Sequence, residues 1–538
     1  DYFDKFQPQT RLNKLYIDAL PQELLASRES ALLTREALVN SIEEGTFVVD
    51  YLGHGNENQW AVENIMDATL INDLNNRYHL PLFLTATCEF GRYDDPSINT
   101  SGAEKLLLNE NGGAIALLTT TRPVYASSNE LVNQAFHRNL FKTENGSFLR
   151  LGDIMRFTKN ESVSGVNNRN FSLLGDPMLK LQYPKNKIII DSINGLNILD
   201  LSTDTLSALE KIRLSGSILS LDSISLIDFN GSVNVSVFDR ITEKETLGQE
   251  NLKFTYSVRE NKIFEGEATV SNGHFWIEFI VPKNISYRFE SGKIILYAQN
   301  NKLTSDATGF FEDFVMGNTA ENATEDYDRP EINLYINDDS FNEGDIVGKN
   351  IMFIAKTRDE SGINSSGIGI NQDITLTMED GSLYVLNNYY MADLDTYKSG
   401  SITFPLKNLS VGNHTATLKI SDIHNNTSTQ SVNFIVSNEP KLSLYNVVNY
   451  PNPAVDGTTF TFEHDRIGET LDIILIIYDT RGNIISKELY EIDNSPKKVD
   501  DLFLAFPPGK FRKGIYLFRI EVSSTLDQAK GSAIERLI

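Results

Sequence analysis

The sequence predicts a multidomain protein: an α/β domain built on a parallel sheet, followed by β-sandwich or Ig-like domains and a terminal β-domain. Three observations carry the layered part of that expectation. A chain of 538 residues is too long for one core, and at about 150 residues per domain it suggests several units. Up to about Pro184, apolar runs alternate with helical segments, the signature of βαβ units with a sheet covered on both faces. From Lys185 helical signals nearly vanish, and short alternating runs such as "GSVNVSVFD", "GHFWIEFIVP" and "GKIILYAQ" stand between Gly, Asn and Asp turns.

In chain order, "LNKLYID" reads as a strand. "TREALVNSIEEG" reads as a helix capped by Thr34 and closed at Gly45, and "TFVVDYL" as a buried strand. "ATLINDLNN" is the next helix and "LPLFLTATC" the second buried strand. "GAEKLLLNENGG" is a helix ending in glycines, and "AIALLTTT" a third strand. Polar stretches at Gly317 to Glu331 and Val436 to Lys441 mark boundaries, giving domains 1–184, 185–325, 326–437 and 438–538.

Composition removes several function classes. With 48 basic against 73 acidic side chains the formal charge is −25, and no basic tract occurs, which excludes the clustered Lys and Arg of a nucleic-acid binder. Hydrophobic content is 40% and mean hydropathy −0.26, as in globular domains. No apolar run approaches the roughly 18 residues of a membrane-spanning helix. The opening "DYFDKFQPQT" lacks the basic and apolar regions of a secretory signal, which fits a mature form or a fragment. Cys88 is the one cysteine, so no intramolecular disulfide forms.

The chemistry gathers at two strand ends. In "DYLGHGNENQW" His54 stands between two glycines after "TFVVDYL", and Cys88 closes "LPLFLTATC". Ligands of open α/β sheets bind at the carboxyl ends of parallel strands. If the two strands are neighbours, topology brings His54 and Cys88 together. An imidazole that takes the thiol proton makes a Cys-His pair for acyl transfer. The backbone N–H groups of Gly55 and Cys88 are then the candidate oxyanion donors. Glu57 and Glu89 are candidates for orienting His54 or binding substrate, and Tyr125, in "RPVYASSN" after the third strand, for specificity. Solvated or packed loop residues are the bland alternative for all three. His79 and His137 look incidental. No metal-ligand cluster or phosphate loop is evident and no cofactor is expected; calcium is left open only at Asp94 and Asp95, against the plainer reading of a loop.

"YLGHGNENQW", "TATCEFG", "GGAIALLTTTRPVYAS" and "LLGDPMLKL" occur in an order and spacing that resembles gingipain-type cysteine peptidases over residues 12 to 184. The resemblance implies a caspase-like fold, with His54 as catalytic histidine, Cys88 as nucleophile, and Gly55 and Cys88 as oxyanion donors. It also implies an acidic residue supporting the histidine and a specificity residue on earlier strands, so the catalytic domain is expected to be truncated at its N-terminus. Phe264 to Ala298, with "DYDRPEINLYINDDSFNEGDIV", resembles the β-domains of cell-surface sortases of the type IX secretion system. "NVVNYPNPAVDGTTFTFEHD" resembles that system's C-terminal sorting domains.

These likenesses imply an enzyme at the outer-membrane surface of a Gram-negative bacterium. It would cleave C-terminal signal domains from exported cargo and pass the cargo to an amine of anionic lipopolysaccharide. Cargo with sorting domains, an outer-membrane β-barrel anchor and other type IX surface components are the implied partners; nucleic acid is not. The alternatives are a secreted gingipain-like endopeptidase and an inactive β-domain adhesin or scaffold. Retention of both His54 and Cys88 argues against the last.

Overall fold

The computed structural model describes all residues except 1–6, 26–27, 98–99, 163, 199–203, 250–251, 286–288, 340, 370, 438–441, 508–509, 512–513 and 527–528, and only the backbone of 23–25, 28–29, 166 and 204. The chain forms two compact units. The first comprises 1–187, 241–260 and 307–310; the second comprises 188–240, 261–306 and 311–538.

The first unit holds a four-stranded sheet of β1 (Val48–Leu52), β2 (Leu82–Ala86), β3 (Ala116–Thr120) and β4 (Phe171–Leu174), in that order. The first three strands are parallel and β4 runs antiparallel to β3. Every residue of β2 and β3 is buried, and β2 divides its side chains by the period of two. Phe83 packs with Leu38 and Ile42 of α1 (Leu32–Glu43), Leu70 and Ile71 of α2 (Ala68–Asp73), and Leu106 of α3 (Gly102–Leu108). Leu82, Leu84 and Ala86 face Val132 and Phe136 of α4 (Ala126–Leu140) and Ile154 of α5 (Leu151–Ser162). Each such side chain taken fully from water stabilises the fold by about 1.5–3 kcal/mol. Two apolar layers sandwiching one sheet are what the uninterrupted apolar strands call for.

Helix starts follow the side chains. Asp67 accepts from the Leu70 N–H at 2.9 Å to open α2, and is itself held by both terminal nitrogens of Arg35 at 2.9 Å. Ser101 and Glu104 form a reciprocal capping box on α3. Gly45, at φ +102, ends α1 as expected, but Thr34 does not begin it. The helix starts at Leu32 after Ala31, and Thr34 is buried within its first turn.

"LNKLYID" is likewise not a strand. Ile17–Ala19 is a short 3-10 turn, and Tyr16 before it is spent on ring packing. Tyr16 lies 4.4 Å from Tyr256 and 5.9 Å from Phe254, between ring centroids. Tyr256 belongs to, and Phe254 immediately precedes, the second strand of a hairpin, Thr242–Glu245 with Thr255–Val258, contributed to this unit from within the sandwich region. Asp18 accepts from the Gly248 and Gln249 N–H groups at 2.8 and 2.9 Å.

The second unit is almost entirely β. Gly231–Phe238 lies between Lys262–Val270 and Lys293–Asn300, all antiparallel. Through one parallel step, Gly266 to Ala392, that sheet continues into Tyr390–Ala392, Ser399–Leu406, Ile351–Arg358 and Glu331–Ile336. Gly412–Ser421, Thr427–Val436 and Thr375–Met378 form a second sheet over a core that includes Phe353, Ile402, Leu418 and Phe434. Toward the C-terminus, a three-stranded and a four-stranded sheet enclose Phe460, Phe462, Ile473, Leu475 and Phe518.

Candidate active site

The register of β1 on β2 sets the site. Leu52 pairs with Ala86, so two residues further along each chain His54 and Cys88 leave adjacent strands at the same height. Parallel neighbours lie about 4.8 Å apart. The Gly53 N–H reaches the Ala86 carbonyl at 3.5 Å, carrying the ladder one residue further toward the loop.

Both glycines beside His54 have steric reasons. A Cβ at Gly53 would stand 2.6 Å from the Tyr51 hydroxyl oxygen; one at Gly55 would stand 2.6 Å from Thr87 Oγ1 and 2.9 Å from the Gln59 carbonyl oxygen. The turn is fixed from behind by the His54 carbonyl, which accepts from the Tyr51 hydroxyl at 2.7 Å and the Ala61 N–H at 2.8 Å. Tyr51 in turn stacks parallel on buried Trp60, with centroids 4.4 Å apart. Burial, with the nearby Glu63 carboxylate, pushes the Tyr51 phenol up, so it stays a hydrogen-bond donor across the physiological range.

His54 is exposed, and its ring makes no hydrogen bond among the described residues. Cys88 is half-buried, with Sγ 3.7 Å from the Val124 carbonyl oxygen in the loop between β3 and α4. The strands thus bring imidazole and thiol to one edge, in an arrangement that leaves the thiol on Val124. Glu57 sits in the same loop; its carbonyl accepts from the Gly102 N–H at 2.7 Å, and its carboxylate makes no hydrogen bond among the described residues.

Glu89 adopts the left-handed region at φ +60, and its Oε1 accepts from Arg92 at 2.6 Å, so its carboxylate is engaged away from His54. Arg92 also reaches Asp95 at 2.7 Å, and Arg122 pairs with both Asp94 oxygens at 2.8 and 2.7 Å. The two aspartates considered for calcium are therefore arginine partners here. Tyr125 is 74% exposed and immediately precedes α4.

Sequence reasoning passed over the residues that hold this edge. Asn129, on α4 and 6% exposed, donates to the Ala86 carbonyl at 2.9 Å, two residues before the nucleophile candidate. Thr85 Oγ1 donates to Thr119 Oγ1 at 2.7 Å, and Thr120 Oγ1 donates to the Thr87 carbonyl. The run of threonines at the ends of "LFLTATC" and "ALLTTT" was the available signal. His137, read as incidental, lies 2.7 Å from Asp50 and ties α4 to β1.

Residues 1–182 match the model of peptidase family C25. No curated protein matches the chain. Among solved structures, dimeric latent PorU from Porphyromonas gingivalis is 29% identical, with 80% of this chain and 41% of that one covered and a TM-score of 0.33. The Arg-specific cysteine proteinase gingipain R is 15% identical, with 52% and 56% covered and a TM-score of 0.26. The complex of the Porphyromonas gingivalis RgpB pro- and mature domains is 16% identical, with 52% and 57% covered and a TM-score of 0.25. The chain spans about two fifths of the latent PorU it matches.

Proposed function

We propose that the C25 region carries a cysteine peptidase whose pair is His54 and Cys88, and that the protein is a surface sortase of the type IX secretion system, similar to PorU. The observation that carries the peptidase reading is the matched register of two parallel strands that end two residues before His54 and Cys88, within a region that matches a peptidase family. The sortase reading rests on the likeness of the β-domain motifs to that system's sortases and sorting domains.

In the proposed reaction His54 takes the Cys88 proton and the thiolate attacks the scissile carbonyl carbon. The tetrahedral oxyanion is met by the Gly55 and Cys88 N–H groups. Collapse breaks the C–N bond, His54 returns its proton to the departing amine, and the signal domain leaves with a new N-terminus. The cargo remains as a thioester on Cys88. An amine of anionic lipopolysaccharide then attacks that carbon, gives a proton to the now neutral His54 and expels the thiolate, which takes the proton back from His54 and closes the cycle; water in its place gives simple hydrolysis. Tyr125, exposed beside the crevice, is the candidate for contacting substrate. The C-terminal domain, from Leu442, is the candidate element for holding the enzyme to an outer-membrane β-barrel anchor and its companions.

The test expresses the protein and a Cys88→Ala twin in type IX-secreting cells lacking their own sortase, and reads cargo C-termini by mass spectrometry. Trimmed, lipopolysaccharide-linked cargo with the Cys88 form alone is the expected result. Trimming without conjugation replaces the sortase with a plain endopeptidase, and identical cargo from both forms rejects acyl transfer.

A further inference from the structure

Thr87 directly precedes Cys88 and is fully buried, yet its hydroxyl oxygen has no hydrogen-bond partner among the described residues. Its threonine neighbours are engaged: Thr85 with Thr119, and Thr120 with the Thr87 carbonyl. A buried hydroxyl with an unmade bond is unfavourable, so the group next to it matters. That group is Gly55. An ideal Cβ there would lie 2.6 Å from Thr87 Oγ1 and 3.4 Å from its methyl carbon, so the turn carrying His54 rests directly on this side chain.

The turn is held through its main chain, and the imidazole itself is left free. β2 is locked to β3 by backbone and threonine hydrogen bonds, whereas residues 52–54 are exposed and the His54 ring is unbonded. Cys88 meanwhile gives its hydrogen bond to Val124 at 3.7 Å. The unbonded Thr87 hydroxyl lies on the side of Gly55 from which a Cβ would project, so one side chain of β2's extension bounds the turn directly after His54 and directly before Cys88.

We propose that Thr87 is a positioning residue, the seat that sets the height of His54 over Cys88. This rests on the reading of His54 and Cys88 as the reacting pair. Thr87 touches neither substrate nor the reacting atoms; it acts through Gly55.

Alkylation of Cys88 by iodoacetamide tests this, because it reads the thiolate directly and needs no substrate. Rates at pH 7 and pH 9 are compared for the full chain and for His54→Ala, Thr87→Val and Thr87→Ser, with each variant's Tm. At pH 9, above the ordinary thiol range, ionisation needs no base. Thr87→Val keeps the shape and removes the hydroxyl. It is expected to slow the pH 7 rate about tenfold, the scale of a misplaced group, with the pH 9 rate unchanged and Tm equal or higher. Thr87→Ser, which keeps the hydroxyl, should hold the parent rates.

A Thr87→Val rate equal to the parent at pH 7, while His54→Ala is slowed, overturns the seat and leaves the pair intact. If His54→Ala is not slowed either, the pair itself fails and the seat with it. Should Thr87→Val not fold, Thr87→Ala replaces it under the same criteria.

Discussion

Two groups of carboxylates in this molecule are arranged in opposite ways. Around the loop after β2, Glu89, Asp94 and Asp95 lie at the surface and each meets an arginine, Arg92 or Arg122. In the second unit, Asp359 and Asp422 are 5% and 0% exposed, and an oxygen of each lies within 4.8 Å of the other and of Asp326. Among the described residues no arginine or lysine pairs with them. They accept instead from neutral donors: Ser361 and the Gly362 N–H for Asp359, and Asn426 for Asp422. Arginine hydrogen bonding holds Asp94 below the usual carboxylate range, and hydrogen bonds from Ser97, helped by Arg92, do so for Asp95. Burial pushes Asp359 and Asp422 above it; the Asp326 charge adds to the rise at Asp359, and the Asp359 charge to that at Asp422. The difference teaches that local countercharge, rather than the net charge of −25, decides how an acidic side chain titrates here.

The largest expected effect is a stability change of opposite sign in the two regions as pH falls. A carboxylate raised in the folded state binds its proton more tightly there than when unfolded. Its contribution is therefore fully present below the unfolded value and declines as pH rises through the folded one. Acidification from pH 7.5 toward the ordinary carboxylate range should raise the stability of the 326–437 region. Asp94 and Asp95 contribute stability that is present at neutral pH and lost only as pH falls through their depressed folded values. Hydrogen exchange of Ile351–Arg358 and Gly412–Ser421 across this range reads the first effect; protection that falls on acidification from pH 7.5 breaks the comparison.

Next in size is Asp359→Asn. The amide oxygen keeps an acceptor for Ser361 and Gly362, while one of the facing charges disappears. At pH 7.5 the variant should unfold at a Tm about 2–4 °C higher, the shift that about 1 kcal/mol produces in a unit of this kind. Its pH dependence should also be flatter than the parent's. A lower Tm in calorimetry would show that the charged form is needed for the loop's hydrogen bonds.

The parts that were legible in the sequence are those where one local pattern decides the outcome. The apolar runs ending at Leu52, Ala86 and Thr120 give three parallel strands, and two of them deliver His54 and Cys88 to one edge. "LNKLYID" is not a strand because its Tyr16 packs on rings more than 200 positions later, Tyr256 and Phe254, a contact that no local period reveals. Thr34 failed as a cap because tertiary burial moved the helix start ahead of it. Asn129 and Thr87 were invisible for a similar reason. Their meaning depends on which carbonyl or glycine lies opposite once the sheet is assembled.

The smallest expected effect is Arg122→Ala. Both members of the Arg122–Asp94 pair are nearly half exposed, at 44% and 45% of the side chain, so water competes for each charge and salt screens what remains. Two good hydrogen-bond distances describe where the loop rests and do not measure how strongly it is held. The variant should unfold within about 1 °C of the parent at physiological salt, following the small median value of exposed pairs. The Asp94 carboxyl should return toward the ordinary range, because its main support, the Arg122 hydrogen bond, is gone. NMR titration of that carboxyl together with calorimetry separates the two consequences. A titration that moves while the Tm stays put means the arginines beside the site tune charge without carrying the fold. A Tm drop of several degrees means this surface loop is mechanically tied to β2 and β3, and the contrast with the buried aspartates is then one of degree.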